Sequence, residues 1–208
     1  EFDLINKLKK KNKTDKQIYM IFENHRKNYL LNNDEEPTTH KLFENIKNHG
    51  IDVIRLPVTW CIIYDTDYTI KGSHGTTTIS RGDKIVKDPY FSDDKSMYWA
   101  GIPIKDIKHL LKKANKAKIK ILIDFHTFPG GSSYGSYSGT WPEKPKFWDH
   151  NPTAVENMGT IIRKFCEWIS TAEQDVQDGF YGLTPMNEPA HLSGRKDFYN
   201  QYPESWKN

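Results

Sequence analysis

Three polar residues stand at equivalent places in this chain: Arg55 near the end of one apolar run, His126 just after a second, and Glu188 just after a third. A glutamate in such a position can protonate a glycosidic oxygen if its surroundings raise its pKa, then act as base toward water in a second step. Asn187, immediately before it, has the amide needed to bond the sugar hydroxyl beside the reacting carbon. Arg55 supplies a fixed positive charge that orients carboxylates through forked hydrogen bonds and favours their ionised form. His126 would bond a sugar hydroxyl. Trp60, Phe128, Tyr134, Tyr137 and Trp141 offer flat apolar faces with polar edges, suited to the C–H faces of pyranose rings, and Trp60 and Tyr137 are the preferred ligands among them. Taken singly, Arg55 reads equally well as a buried structural ion pair, His126 as a satisfied core histidine, and about half of the aromatics as packing. Their convergence on one face shifts the balance toward chemistry.

That convergence depends on the elements that carry them. Ile51 to Pro57 is short, apolar and β-branched, as a strand buried on both faces should be, and Ile119 to Phe125 and Phe180 to Met186 repeat the pattern. Between them lie helical periods. Leu42, Phe43 and Ile46 mark a helix from Glu36 to His49 that stops at Gly50. Ile104, Ile107, Leu110, Leu111, Ala114 and Ala117 mark a second, whose lysines face solvent, and Val155, Met158, Ile161, Ile162, Phe165, Trp168 and Ile169 a third. Threonines and glycines from Asp65 to Tyr90 predict a β-hairpin hung on a long loop. Alternating strand and helix implies parallel strands with right-handed crossovers, hence a doubly wound sheet or a (β/α)8 barrel. In a barrel the three strand ends meet at the C-terminal face, where such enzymes place their active sites.

Bulk properties remove several other classes. With 208 residues and 36% hydrophobic content the chain can bury a core, and its formal charge is only +3 with lysines scattered rather than blocked, so no nucleic-acid partner is expected. No apolar run is long enough to span a bilayer. No dinucleotide fingerprint follows any strand, and the Gly130 to Gly139 loop lacks the Gly-Lys-Ser/Thr ending of a phosphate cradle. Glu188 and His191 have di-iron spacing, but Pro189 opposes a continuing helix, and neither metal nor cofactor is expected. Cys61 and Cys166 read as core residues rather than a disulfide. Asn12-Lys13-Thr14 is the usable glycosylation sequon, since Pro152 spoils Asn151-Pro152-Thr153.

At the residues already singled out, the sequence resembles glycoside hydrolase family five, most closely its exo-β-1,3-glucanase branch. The likeness runs from about Phe22 to about His191. It rests on His25 to Asp34, on Ile54-Arg55-Leu56-Pro57, on Asp124-Phe125-His126-Thr127-Phe128-Pro129-Gly130 with the later Ser138-Gly139, and most specifically on Met186-Asn187-Glu188-Pro189. The resemblance implies an α/β fold, a (β/α)8 barrel of which residues 1–208 hold a partial catalytic domain. The part covered would be about strands two to four with their helices and a β-hairpin insertion. Strand one would lie before Glu1, strands five to eight after Asn208, and the nucleophile would come from a seventh strand outside the chain.

By the same likeness Glu188 is the acid/base and Arg55, His126 and Asn187 take active-site roles; Trp60, Tyr137 and Trp141 join them as substrate-binding residues on the strength of their own chemistry. The implied activity is a retaining glucan 1,3-β-glucosidase acting on β-glucan, secreted, monomeric at full length and without cofactor. The isolated fragment would be inactive. A β-1,4-glucanase or mannanase, or a catalytically inactive carbohydrate-binding relative, are the alternatives. Thr127-Phe128 and the Asp65 to Tyr90 hairpin depart from the family pattern, which bears on subsite shape and linkage preference.

Overall fold

The computed structural model describes residues 2–31, 37–132, 140, 143–147 and 153–187. Its centre is a three-stranded parallel sheet of β1 (Val53–Val58), β8 (Lys120–Phe125) and β9 (Phe180–Thr184), in that spatial order. Each successive strand of this sheet joins on the same side as the last. That is the order of a barrel, whereas a doubly wound sheet reverses direction.

The crossovers are helical. From β1 the chain reaches β8 through α4 (Ile104–Lys116), and from β8 it reaches β9 through α5 (Thr153–Ser170) and α6 (Gln174–Gly179). On α4 the apolar residues Ile104, Ile107, Leu110, Leu111 and Ala114 are buried, while Lys108 and Lys112 pair on the outside with Glu173. The end of α6 lies against α4 so closely that a Cβ on Gly179 would stand 2.1 Å from the Leu111 carbonyl oxygen. Only glycine fits there. On the sheet, alternation has its usual period of two. Ile121, Ile123 and Phe125 turn toward the helices and are buried; Phe125 meets Phe165 of α5 edge-on at 5.6 Å. Asp124 consequently turns to the other face.

Between β1 and α4 the chain makes a long insertion. A hairpin of β3 (Tyr68–Gly72) and β4 (Gly75–Ile79) fulfils the expectation from the threonine-rich stretch. Beyond it, β5 (Ile85–Lys87) pairs with β6 (Tyr98–Ala100), and β2 (Ile62–Ile63) pairs in parallel with β7 (Ile102–Pro103), closing the base of the insertion. These short pairs carry too few residues to show a period. The lysine-rich opening forms α1 (Phe2–Lys10) and α2 (Asp15–Arg26), the latter started by a capping box in which Thr14 and Gln17 exchange side-chain and backbone hydrogen bonds. Ile5 and Ile18 of this pair bury against Ala100 of the insertion. A π-helical turn, Lys27–Leu31, and α3 (Pro37–Asn48) lead into β1.

One expectation is corrected. Cys61 is buried, but Cys166 is exposed on α5, and neither forms a disulfide. Ile161, Phe165 and Ile169 occupy the buried stripe of that helix, and the residue after Phe165 is rotated about 100° away from it. Among the described residues no helix is long and apolar enough to cross a membrane.

Candidate active site

The functional cluster is organised by Asp124, the penultimate residue of β8. A carboxyl group in an otherwise apolar buried strand must find partners, and Asp124, 0% exposed, has three among the described residues. Arg55 Nη2 lies 2.9 Å from Oδ2, His126 Nδ1 lies 2.8 Å from the same oxygen, and the Thr184 hydroxyl donates to Oδ1 at 2.6 Å. Arg55 comes from β1, His126 from just beyond β8, Thr184 from the end of β9. All three parallel strands therefore contribute to one carboxylate at their C-terminal ends.

The register explains why. Pro57 is opposite Asp124 on β1, so Arg55, two residues earlier, shares its face and reaches upward along the strand. On β9 a bulge intervenes: Ile121 is opposite Phe180, yet Leu122 is opposite Gly182, so that Asp124 comes to face Thr184. An unbroken ladder would bring Leu183 opposite Asp124. Bulges beside functional sites commonly re-aim a side chain in this way. Here the bulge keeps Phe180 among the aromatics of α5, 5.9 Å from Phe165, while Thr184 turns inward.

Asn187 closes the network. Its Oδ1 accepts from Arg55 Nη2 at 2.7 Å, and its Nδ2 faces His126 Nε2 at 3.3 Å. The directions are consistent: with Nδ1 donating to Asp124, Nε2 is the acceptor, and the Asn187 amide donates to it while accepting from arginine. Asn187 is 4% exposed, so its amide has little water to fall back on. The Arg55 side chain is 48% exposed, leaving part of its guanidinium facing open space above the sheet.

Of the residues proposed from sequence, the structure brings Arg55, His126 and Asn187 together. Trp60 sits apart from them: it is fully buried, edge-on to Trp99 at 6.2 Å, and among the described residues its indole N–H has no hydrogen-bond partner. Phe128 is likewise buried, packed on Phe125 and Phe147. Glu188, Tyr137 and Trp141, with Tyr134, lie outside the described residues. Sequence reasoning passed over Asp124 and Thr184 as site residues. The signal for Asp124 was present, since it is the sole acidic residue in an apolar run; for Thr184 there was none, because its inward direction follows from the bulge. Among the described residues, no three His, Cys, Asp or Glu side chains converge to hold a metal ion.

A parallel sheet wound in barrel order, with a hydrogen-bonded polar cluster at its C-terminal strand ends, defines the class of (β/α)-barrel enzymes. The sequence from residue 16 to residue 207 matches the family model described as Cellulase (glycosyl hydrolase family 5). The chain belongs to glycosyl hydrolase family 5. Membership carries the (β/α)8 fold, glycosidase activity on β-glycosides and a carbohydrate substrate. No curated protein matches the sequence.

Proposed function

We propose that the protein is a retaining β-glucosidic hydrolase of the glucan 1,3-β-glucosidase type, secreted and monomeric, with Glu188 as acid/base. One observation carries the reading. Arg55 and His126, themselves held by Asp124, hold the amide of Asn187 from both sides, and Asn187 is the residue immediately before Glu188. A clamped Asn187 supports the reading that its sequence neighbour acts at the same strand ends, because a group protonating a leaving oxygen must be held in position.

In the first step Glu188 donates its proton to the glycosidic oxygen as a nucleophilic carboxylate attacks the anomeric carbon. In the second, the Glu188 carboxylate takes a proton from water, which displaces the enzyme carboxylate and completes retention. The nucleophile must stand about 5 Å from Glu188, and none of the described residues is proposed for that role. His126 and the exposed part of Arg55 supply polar contacts for the reacting sugar, and Tyr137 and Trp141 its stacking partners.

The test is Glu188→Gln in the full-length protein. Turnover of β-glucan, whose leaving groups are poor, should vanish while sugar binding by calorimetry persists; unchanged turnover sinks the assignment. Product profiles on defined β-1,3- and β-1,4-linked oligosaccharides and on mannan fragments then distinguish the linkage.

A further inference from the structure

A second buried carboxylate lies outside the cluster just described. Asp88, in the insertion between β5 and β6, is 0% exposed. Its Oδ2 accepts from the Trp99 indole at 2.9 Å and from the Gly130 backbone N–H at 2.8 Å, and its Oδ1 accepts from the Tyr90 backbone N–H at 2.9 Å. Among the described residues its partners are these three neutral N–H donors and no cation. Burial pushes the carboxyl up to about 6, against the downward pull of those donors. A buried acid without a cation is costly, and an apolar side chain would serve packing better. Its use is therefore to be sought in what the three donors belong to.

Two of them belong to the insertion itself. The third belongs to the turn that leaves β8 four residues after His126. That turn is built with little slack. Gly130 has φ +78°, a left-handed conformation, and a Cβ there would stand 2.9 Å from Tyr90 Cγ and 3.0 Å from the Phe147 nitrogen. The Gly131 N–H closes back on the Phe128 carbonyl at 2.9 Å, and the Gly130 carbonyl accepts from Lys146 N–H at 2.7 Å. Between turn and histidine, Thr127 and Phe128 are both buried. On its other side Asp88 holds Trp99, whose ring meets Trp60 just past β1. One carboxylate thus ties together the segments that follow β1 and β8, the two strands that deliver Arg55, Asp124 and His126.

We propose that Asp88 is a positioning residue for the active site, fixing the turn after β8 so that the His126 imidazole keeps its place between Asp124 and Asn187. The inference rests on the hydrolase reading for its kinetic consequence and on geometry alone for its structural one. The insertion is in this light the outer brace of the site. Its carboxylate does the bracing because three N–H groups arriving from different directions need an acceptor with two oxygens, which no apolar residue and no single carbonyl provides.

Asp88→Asn tests this, because the amide keeps the shape but turns one acceptor oxygen into a donor facing N–H groups. In the full chain, the ring 15N–1H resonances of His126, identified by their absence in H126Q, should shift in D88N. They should stay put in Leu111→Ala, a core truncation on α4 that lowers the melting temperature without touching the turn. Well below both melting temperatures, kcat on β-glucan should fall roughly ten- to a hundred-fold with KM changed by less than about threefold. The L111A control should keep its kcat. His126 resonances that superimpose on wild type, or a kcat no lower than the control, overturn the proposal. If D88N does not fold, Trp99→Phe, which deletes one donor, is measured against the same two criteria with smaller shifts expected. A wild-type protein that turns over no β-glycoside defeats the hydrolase reading instead, and the His126 resonances then decide the positioning role by themselves.

Discussion

Two fully buried aspartates, 36 residues apart, are satisfied in different ways, and the difference separates a chemical site from its support. Asp124 sits at a strand end and is met by a guanidinium, an imidazole and a hydroxyl, each from a different strand or strand end. Asp88 sits in a connecting segment and is met by two backbone N–H groups and an indole. A carboxylate paired with arginine in forked geometry sets the orientation of the side chains that meet it. One held only by neutral dipoles in the interior is held less firmly in its ionised form, and for Asp88 burial outweighs the donors. The first arrangement suits a group that orients several polar side chains at the strand ends. The second suits a mechanical tie.

The largest effect that would sharpen this contrast is at Asp124. Asp124→Asn should lower kcat by roughly a hundredfold and cost on the order of 3 kcal/mol in urea unfolding, because the donors that converge on it lose a shared ionic acceptor. A variant with near wild-type turnover would break the distinction.

Next in size is the pH dependence contributed by Asp88. Its folded value of about 6 lies above the ordinary aspartate value of 3.8. Its contribution to stability is therefore fully present below pH 3.8 and is lost as pH rises through about 6. Over that window the unfolding free energy of wild type should fall relative to D88N by roughly 3 kcal/mol. Parallel curves would show that the N–H donors keep Asp88 ionised throughout, and would place it beside Asp124 in kind.

The smallest effect belongs to a third carboxylate, Glu173, which is exposed and held by Lys108 and Lys112 with its pKa lowered to about 2. Glu173→Gln should leave the melting temperature unmoved at about 0.15 M salt, where exposed pairs are screened. A clear drop would mean that surface pairing on α4 carries weight comparable to the buried sites.

Much of the framework was legible because it repeats. The three sheet strands and the helices from Pro37, Ile104 and Thr153 were visible as apolar runs and periods, and their boundaries fell within a few residues of those observed. The short pairs β2–β7 and β5–β6 were not legible, since two or three residues hold no period and their partners lie 11 to 40 positions away. Cys166 was misjudged because hydrophobic character was taken for direction; its place on α5 is one step off the buried stripe. Trp60 shows the reverse case, an aromatic whose position after a strand fits a sugar platform but whose ring is enclosed by the insertion.

From the sequence alone came the alternation of strand and helix and the strand-end placement of Arg55, His126 and Asn187, because those depend on local periodicity and on short-range order along the chain. Only the tertiary structure decided that Asp124 is the acceptor Arg55 and His126 share, that Thr184 rather than Leu183 faces it, and that Asp88 reaches across to Gly130. A hydrogen bond between residues 42 or 60 positions apart is set by strand register and by a single bulged residue, and neither leaves a mark in composition or spacing.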